Sequence, residues 1–558
     1  MSQPADRSLH DWALLSDTLD WRLGKLAYQA RGTLTFTSNE VPNIAHQGGL
    51  VPYRAAEVLL ASCAEAESAG TLEDAIAVLE LGMGLGLFAA QVLDRFRDRC
   101  AAMGTDWYDR LAWYATDATP TVLTHAHQSG ILKRHGDRVR FAQASALDPA
   151  KLRSPSGVAT LPRFRAIFHS YVLCMLPMNL YRVTGDAAEV TVARTVVSEP
   201  EHLHRYTPQS MDQLRAVVAK DDPQALVPLV PLYPLLDLEL ARTPVSPSSE
   251  SLPRVRQIAD WIRAERPGDR DETWVLDSEG AWRSIQESLK LLRPDGFLLY
   301  RDYGPDTAEK ADEQQLYQHY GATIAVQVNH FALERLSAGI GAETTAPRGD
   351  GAQLLKTRLV SCGEIPRTRD AFAQAYDLAD VAHLKAAVDA ARAAPTEGLV
   401  AAYEAALAIE PGNWSLLTEA ADAIYARLKD PGRAYDLLRR SLAINEPYQA
   451  SAWDILGEMF IDAKQYDQAR AALKKAAAIN PEHARVYAAS ARLHRALGEI
   501  EAAVVAASQG VAWAELGGHD TEIEALNALI GELLGRRELS RRLRTARAAG
   551  GYHRRHTL

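Results

Sequence analysis

Three glycines, Gly82, Gly84 and Gly86, follow directly on the apolar run Ile76, Ala77, Val78, Leu79, Glu80 and Leu81 and precede a stretch of helical spacing over residues 87–97. A strand, a glycine turn and a helix suit a nucleotide-type ligand, because glycine lets the backbone come close and a helix N-terminus offers unpaired N–H groups. A dinucleotide site requires G-x-G-x-x-G, whose last glycine would fall on Leu87; the spacing here, E-L-G-x-G-x-G, favours S-adenosylmethionine (SAM) over NAD. Glu80 is then expected to face the cationic methionine end of the cofactor. A tight strand-to-helix turn without function is the competing reading. Residues 111–116 read as a second strand ending at Asp117, whose carboxylate can accept from both ribose hydroxyls. Asp117 stands 35 residues beyond Gly82, against a usual distance of about 20, which implies an insertion around residues 100–109. A third strand over residues 139–143 runs into Ser145 and Ala146, beside the expected place of the adenine.

The later chemistry gathers at two further strand ends. Residues 165–168 form a fourth strand running into His169, Ser170, Tyr171, Val172, Leu173, Cys174, Met175, Leu176 and Pro177. An amphipathic helix over residues 278–292 leads through Arg293-Pro294-Asp295-Gly296 into a strand over residues 297–301 and then Asp302-Tyr303-Gly304. His169 is assigned to the cofactor, and Tyr171, Asp302 and Tyr303 to the neighbourhood of the transferred methyl group. Each has a bland alternative: packing at the strand end for His169 and Tyr171, shaping of a turn for Asp302 and Tyr303.

The Leu-Arg-Pro-Asp-Gly turn resembles the L-x-P-G-G turn of class I SAM-dependent methyltransferases. Within that class, residues 167–180 resemble the N-E-x-x-D-A-L-P stretch of the MidA-type family, which includes the protein-arginine methyltransferase that assists mitochondrial complex I assembly. Residues 297–304 resemble that family's apolar strand ending in D-Y-G, and residues 324–333 its T-A-H-V-D-F-x-x-L stretch; the likeness spans about residues 30–362. The resemblance implies a SAM cofactor and a protein acceptor, with an arginine nitrogen as the best single choice. The chain departs from the pattern at Ser170, Tyr171 and Cys174, where the family carries Asn, Glu and Asp. Ser145 likewise replaces the acid that methyltransferases place on the adenine amine. An arginine acceptor calls for carboxylates on its guanidinium; Asp302 remains, with Glu40 or Glu80 as substitutes. Methyl transfer itself asks mainly for alignment, so the missing acids do not imply an inactive enzyme.

The elements that must position these residues define the fold class: an α/β, doubly wound, Rossmann-like methyltransferase sheet followed by an all-α tetratricopeptide-repeat solenoid. Residues 1–49 form an N-terminal arm and candidate cofactor lid, with Asn39, Glu40, Asn43, His46 and Gln47 in its polar part. Residues 50–365 form the methyltransferase domain, and an insertion at about 181–271 is expected to build the acceptor pocket. The last strand pair is expected at residues 322–328 and 354–361. Residues 366–534 carry the repeats: Pro411, Pro447 and Pro481 are 36 and 34 residues apart, and Leu417, Trp453 and Tyr487 each follow by six. Trp453, Leu456, Gly457 and Phe460 resemble the W-x2-L-G-x2-Y repeat pattern. Those large residues are expected to fill the space between repeats, and the concave face to hold a protein or peptide. Residues 535–558 hold eight arginines against Glu538 alone, a basic tail.

The chain has 558 residues and a net charge of −10, which argues against general nucleic-acid binding. Its four cysteines show no metal-ligand spacing, so no metal is expected. No secretion signal or membrane span is legible, which places the expectation in the cytoplasm. The oligomeric state is not specified by the sequence. A small-molecule acceptor, or a SAM-binding assembly factor without turnover, are the alternatives to a protein acceptor.

Overall fold

The computed structural model describes residues 7–38, 48–153, 161–266, 268, 270–314, 318–320, 323–349, 355–377, 379–517 and 520–534. The chain divides into two compact units, Met1–Thr33 with Val51–Ala379, and Leu34–Leu50 with Asp380–Leu558. The polar residues of the expected lid, Asn39 to Gln47, and the basic tail lie outside the described residues.

The strands of the first unit are, in chain order, β1 (Ala13–Leu14), β2 (Ile76–Leu81), β3 (Leu111–Asp117), β4 (Val139–Ser145), β5 (Asp148–Arg153), β6 (Phe164–Ser170), β7 (Asn179–Thr184), β8 (Ala187–Val197), β9 (Leu236–Pro244), β10 (Glu272–Asp277), β11 (Leu292–Tyr303), β12 (Gln318–Tyr320), β13 (Thr323–Ala325), β14 (Glu343–Thr345) and β15 (Leu355–Ser361). The main sheet has the order β14-β15-β11-β6-β2-β3-β4-β5. Strands β4, β3, β2, β6 and β11 are parallel. Strand β2 is buried along its whole length, as a strand covered on both faces must be. On one face, Ala281, Ile285 and Leu289 of helix Glu279–Leu291 pack with Leu79, Leu81, Ile167 and Leu298. On the other, Phe88 of helix Leu87–Met103 meets the stacked rings of Trp113 and Phe168. The chain winds outward from β2 through β3 to β4, then crosses back to β6 and β11. The order therefore reverses between β2 and β6, the place where open α/β sheets leave a crevice beyond their strand ends. This is the doubly wound methyltransferase sheet expected from the sequence.

One of the two last expected strands takes its place: β15 runs antiparallel beside β11. The other does not. Residues 323–325 pair with β12 in a separate two-stranded sheet, and β14 forms the edge instead. Val326 N–H is spent on the Cys174 carbonyl and Val328 N–H on the Tyr303 carbonyl, so this segment crosses strand ends rather than joining the sheet. That crossing explains the glycine of D-Y-G. Gly304 has φ 153°, and a Cβ there would stand 1.9 Å from the Val328 carbonyl oxygen.

The insertion folds as a second sheet, β1-β8-β7-β10 with β9 on the far side of β8. Its central hairpin turns at Gly185, φ 55°, between the paired Thr184 and Ala187, a two-residue turn that needs a positive φ first. Helix Leu19–Arg31 buries Leu19, Leu23 and Ala27 against Met178, Leu180 and the proline-rich 227–235 segment.

In the second unit, helix pairs Trp414–Leu428 with Pro431–Asn445, Ala450–Asp462 with Tyr466–Ile479, and Ala484–Ala496 with Ile500–Gly517 repeat one motif. Gly457 lets the second pair close, since a Cβ there would meet Leu473 Cδ2 at 2.6 Å. Of the three large repeat residues, Leu417 is buried, while Trp453 and Tyr487 are half-buried. Residues from the 34–50 segment bond within this unit: Thr37 Oγ1 donates to the Ile479 carbonyl (3.1 Å) and Leu50 N–H to Glu410 (2.6 Å).

Candidate functional site

The glycine turn beyond β2 takes the conformation its residues suggest, with φ of 76°, 52° and 74° at Gly82, Gly84 and Gly86. Such angles favour glycine. Gly86 stands at the N-terminus of helix Leu87–Met103. A Cβ at Gly82 would lie 2.5 Å from Val172 Cγ2, on the loop after β6, so Val172 closes over the turn.

Asp117, at the end of β3, is turned onto that loop. Gly84 N–H donates to one carboxylate oxygen at 3.3 Å and Thr119 N–H to the other at 2.9 Å. Burial raises its pKa while those N–H groups oppose the rise. Glu80 lies beneath the turn, 4% exposed, with Trp113 Nε1 donating to it at 3.0 Å. Burial raises its pKa to about 8, against the Trp113 N–H, and Asp117 raises it further. Among the described residues no cation is paired with Glu80. Gln91, in the glycine-loop helix, is buried with neither end of its amide hydrogen-bonded.

The two other strand ends are arranged differently. Tyr171 has φ 55°, a strained value for an aromatic residue, and donates its N–H to the Arg301 carbonyl at 2.9 Å. Its ring lies 6.5 Å from that of Tyr303. Asp302 is buried and accepts backbone N–H groups on both oxygens, from Cys174 and from Tyr303, each at 3.0 Å. Burial lifts its pKa to about 7 against those bonds. It fastens the end of β11 to the turn after β6. His169 is buried with Nε2 3.3 Å from Ser288 Oγ and Nδ1 without a partner; burial lowers its pKa to about 3. Ser288 belongs to helix Glu279–Leu291, so His169 sits in the layer under the strand end. Ser145 is exposed and accepts from Leu147 N–H at 3.2 Å, beside the buried Ala146. The structure thus brings together Glu80, the three glycines and Asp117 as one group and Tyr171, Asp302 and Tyr303 as another.

Sequence reasoning missed two further residues. Tyr28, on helix Leu19–Arg31, is raised in pKa by burial and then by Cys174 and Asp117, and bonds to Thr323. It therefore reaches between the two groups, and no local signal in its helix pointed there. Arg301 interrupts the apolar strand Phe297-Leu298-Leu299-Tyr300, which is a legible signal. Its Nε and Nη1 are buried without a hydrogen-bond partner. Tyr171 and Tyr376 are both raised in pKa by burial, Tyr376 to about 12, with Arg301 opposing the rise in each.

The donor set fits SAM at its methionine and ribose ends: a carboxylate at Glu80, a glycine cradle and a carboxylate at Asp117. At the adenine end Ser145 spends its oxygen locally. Among the described residues no three potential ligands gather for a metal ion, and no helix is long and apolar enough to cross a membrane.

The fold and site define a class I methyltransferase-type sheet joined to a helical-repeat unit. A tetratricopeptide-repeat family model matches residues 460–527. No curated protein matches the chain in sequence. An uncharacterised protein from Burkholderia thailandensis shares 14% identity over 65% of this chain and 90% of its own, with a TM-score of 0.40. A member of the same superfamily from that organism, described as a likely methyl transferase bound to S-adenosyl-homocysteine, shares 14% over 63% and 88%, with a TM-score of 0.38. The CcbJ methyltransferase of Streptomyces caelestis shares 10% over 59% and 99%, with a TM-score of 0.27.

Proposed function

We propose that the chain is a SAM-dependent methyltransferase acting on a protein or peptide, with the helical repeats recruiting the acceptor. The observation that carries the reading is the Asp117 carboxylate, held onto the glycine loop by Gly84 and Thr119 N–H at the switch point of the sheet. When bound, SAM supplies an electrophilic methyl group. The chain's own residues do the rest. Asp117 accepts from the ribose hydroxyls, and Glu80 answers the positive charge of the methionine end. Val172 and Tyr28 cover the crevice and keep water from it.

No acid or base is required beyond alignment of the acceptor. Tyr171 and Tyr303 flank the acceptor, and Asp302 holds the two loops that carry them. An arginine nitrogen was the acceptor favoured by the family resemblance. Asp302 already accepts one backbone N–H on each oxygen, so a guanidinium would share that acid with the backbone.

Calorimetric titration of the full chain with SAM and S-adenosylhomocysteine, beside Asp117→Ala, tests the cofactor. Micromolar binding that the variant loses is the expected result; absence of binding by a folded wild type refutes it. Transfer of labelled methyl from SAM to proteins of a cell extract, with and without residues 380–558, tests recruitment. Equal labelling by both chains would refute it.

A further inference from the structure

Arg301 is a half-buried cation at the end of β11, and among the described residues no acid is paired with it. In-register neighbours in a sheet share a face. Those of Arg301 are Ser170 on β6 and Thr357 on β15, both neutral. Its neighbours along the strand on that face are Leu299 and Tyr303. Asp302, adjacent in sequence, points to the opposite face and is engaged by Cys174 and Tyr303 N–H. Nε and Nη1 have no hydrogen-bond partner. Beyond Arg301 lies Tyr376, and the Arg54 guanidinium stands 5.7 Å over the Tyr376 ring. A second cation thus shares the neighbourhood.

A cation left in a partly buried site without an acid carries an unreturned desolvation cost. A planar oxyanion returns it through charge-assisted, bidentate hydrogen bonds. We infer that Arg301 receives a carboxylate group of the methyl acceptor, so that the acceptor bears an anionic group close to the atom that is methylated. This rests on the methyltransferase reading above.

Position separates acceptor from cofactor. Strand β11 lies two strands from β2, about 10 Å away at ordinary strand spacing. It is on the side of β2 opposite β3, which carries Asp117. The ammonium and carboxylate of the methionine moiety share one carbon. A cofactor answered by Glu80 therefore does not also span to Arg301.

The test uses the full chain loaded with S-adenosylhomocysteine and trifluoroacetate as the probe, followed by 19F line broadening. Wild type is expected to broaden the signal, Arg301→Gln to weaken binding at least tenfold, and Arg301→Lys to recover part of it. Affinity for S-adenosylhomocysteine should stay within twofold in both variants, which also reports that they fold. No broadening by wild type, or equal broadening by Arg301→Gln, overturns the inference. So does an Arg301→Gln loss of affinity for S-adenosylhomocysteine that is absent for 5′-methylthioadenosine, which lacks the carboxylate; that pattern would give Arg301 to the cofactor. Should wild type bind no S-adenosylhomocysteine, the methyltransferase reading falls, and the trifluoroacetate titration of the unloaded chain still decides whether Arg301 receives an oxyanion.

Discussion

On the proposed reading, Glu80 makes cofactor affinity depend on pH. Its pKa stands at about 8 because burial beneath the glycine turn outweighs the single Trp113 N–H. At pH 7 about nine in ten molecules of the unliganded chain carry a proton there. A cationic ligand end favours the ionised form, so binding expels that proton. Apparent affinity then follows the ionised fraction, about 1% at pH 6 and about half at pH 8. The expected gain over that range is about 50-fold, or about 2.3 kcal/mol. Calorimetry in two buffers of different ionisation enthalpy at pH 7 counts the proton directly, at about 0.9 per SAM bound. Glu80→Gln, which keeps an acceptor for the Trp113 N–H, should flatten this part of the profile. The same shift acts on folding with opposite sign. An acid whose pKa is raised in the folded state binds more protons there than in the unfolded chain. Stability of the unliganded chain therefore falls as pH rises from about 4.5 to about 8, and Glu80→Gln should raise the melting temperature more at pH 8.5 than at pH 5. An affinity that stays flat from pH 6 to 8, or a slope that survives in Glu80→Gln, refutes the placement of the cationic end at Glu80.

Three further outcomes follow from the packing. Gly304→Ala places a Cβ 1.9 Å from the Val328 carbonyl oxygen; urea denaturation should show a loss of about 3 kcal/mol, and a loss under 1 kcal/mol would mean that the crossing segment moves easily. Arg165 has a fully buried side chain paired with Glu73 and Asp295; Arg165→Met leaves both acids to Arg293 alone, at 3.3 and 3.7 Å, and should cost about 3 kcal/mol in the same assay. Of the four cysteines only Cys362 is exposed, and burial holds the Cys174 thiol well above its ordinary pKa, so iodoacetamide at pH 8 should label the native chain once, at Cys362. Rapid labelling of Cys174 would mean that the turn after β6 opens.

Much of this architecture was legible because period and punctuation coincide with structure. The apolar run ending at Leu81 and its three glycines could hardly form anything but a strand and a turn, and β2 spans Ile76–Leu81. The repeats were legible because proline and small residues recur at nearly fixed spacing. The second sheet was not read, although Gly185-Asp186 between Val183-Thr184 and Ala187-Ala188 is a hairpin signal. The proline-rich residues beyond it drew the reading toward an irregular excursion. Residues 323–328 carried a strand's composition, but the carbonyls at the ends of β6 and β11 captured their N–H groups. Tyr28 was illegible for a different reason: its role comes from where its helix is laid, about 90 residues before Asp117 and about 150 before Cys174.

Asp302, assigned from the sequence to the neighbourhood of the transferred methyl group, is tied to the backbone at the strand ends. A buried acid needs donors, and the chain supplies backbone N–H groups to two of them: Gly84 and Thr119 to Asp117, Cys174 and Tyr303 to Asp302. An acid satisfied in this way fixes a loop. Each of its oxygens keeps a lone pair for a further donor, as the ribose hydroxyls are for Asp117 on the proposed reading. Glu80 is the exception, with one indole donor and a raised pKa, so it retains capacity for a cation. Arg301 is the exception of opposite sign, with two nitrogens unbonded. On the proposed reading the crevice discriminates by charge at two places about two strands apart, with a cation expected beneath the glycine turn and an anion at the end of β11. Exchanging these two charges should reverse both preferences without touching the backbone bonds that shape the site.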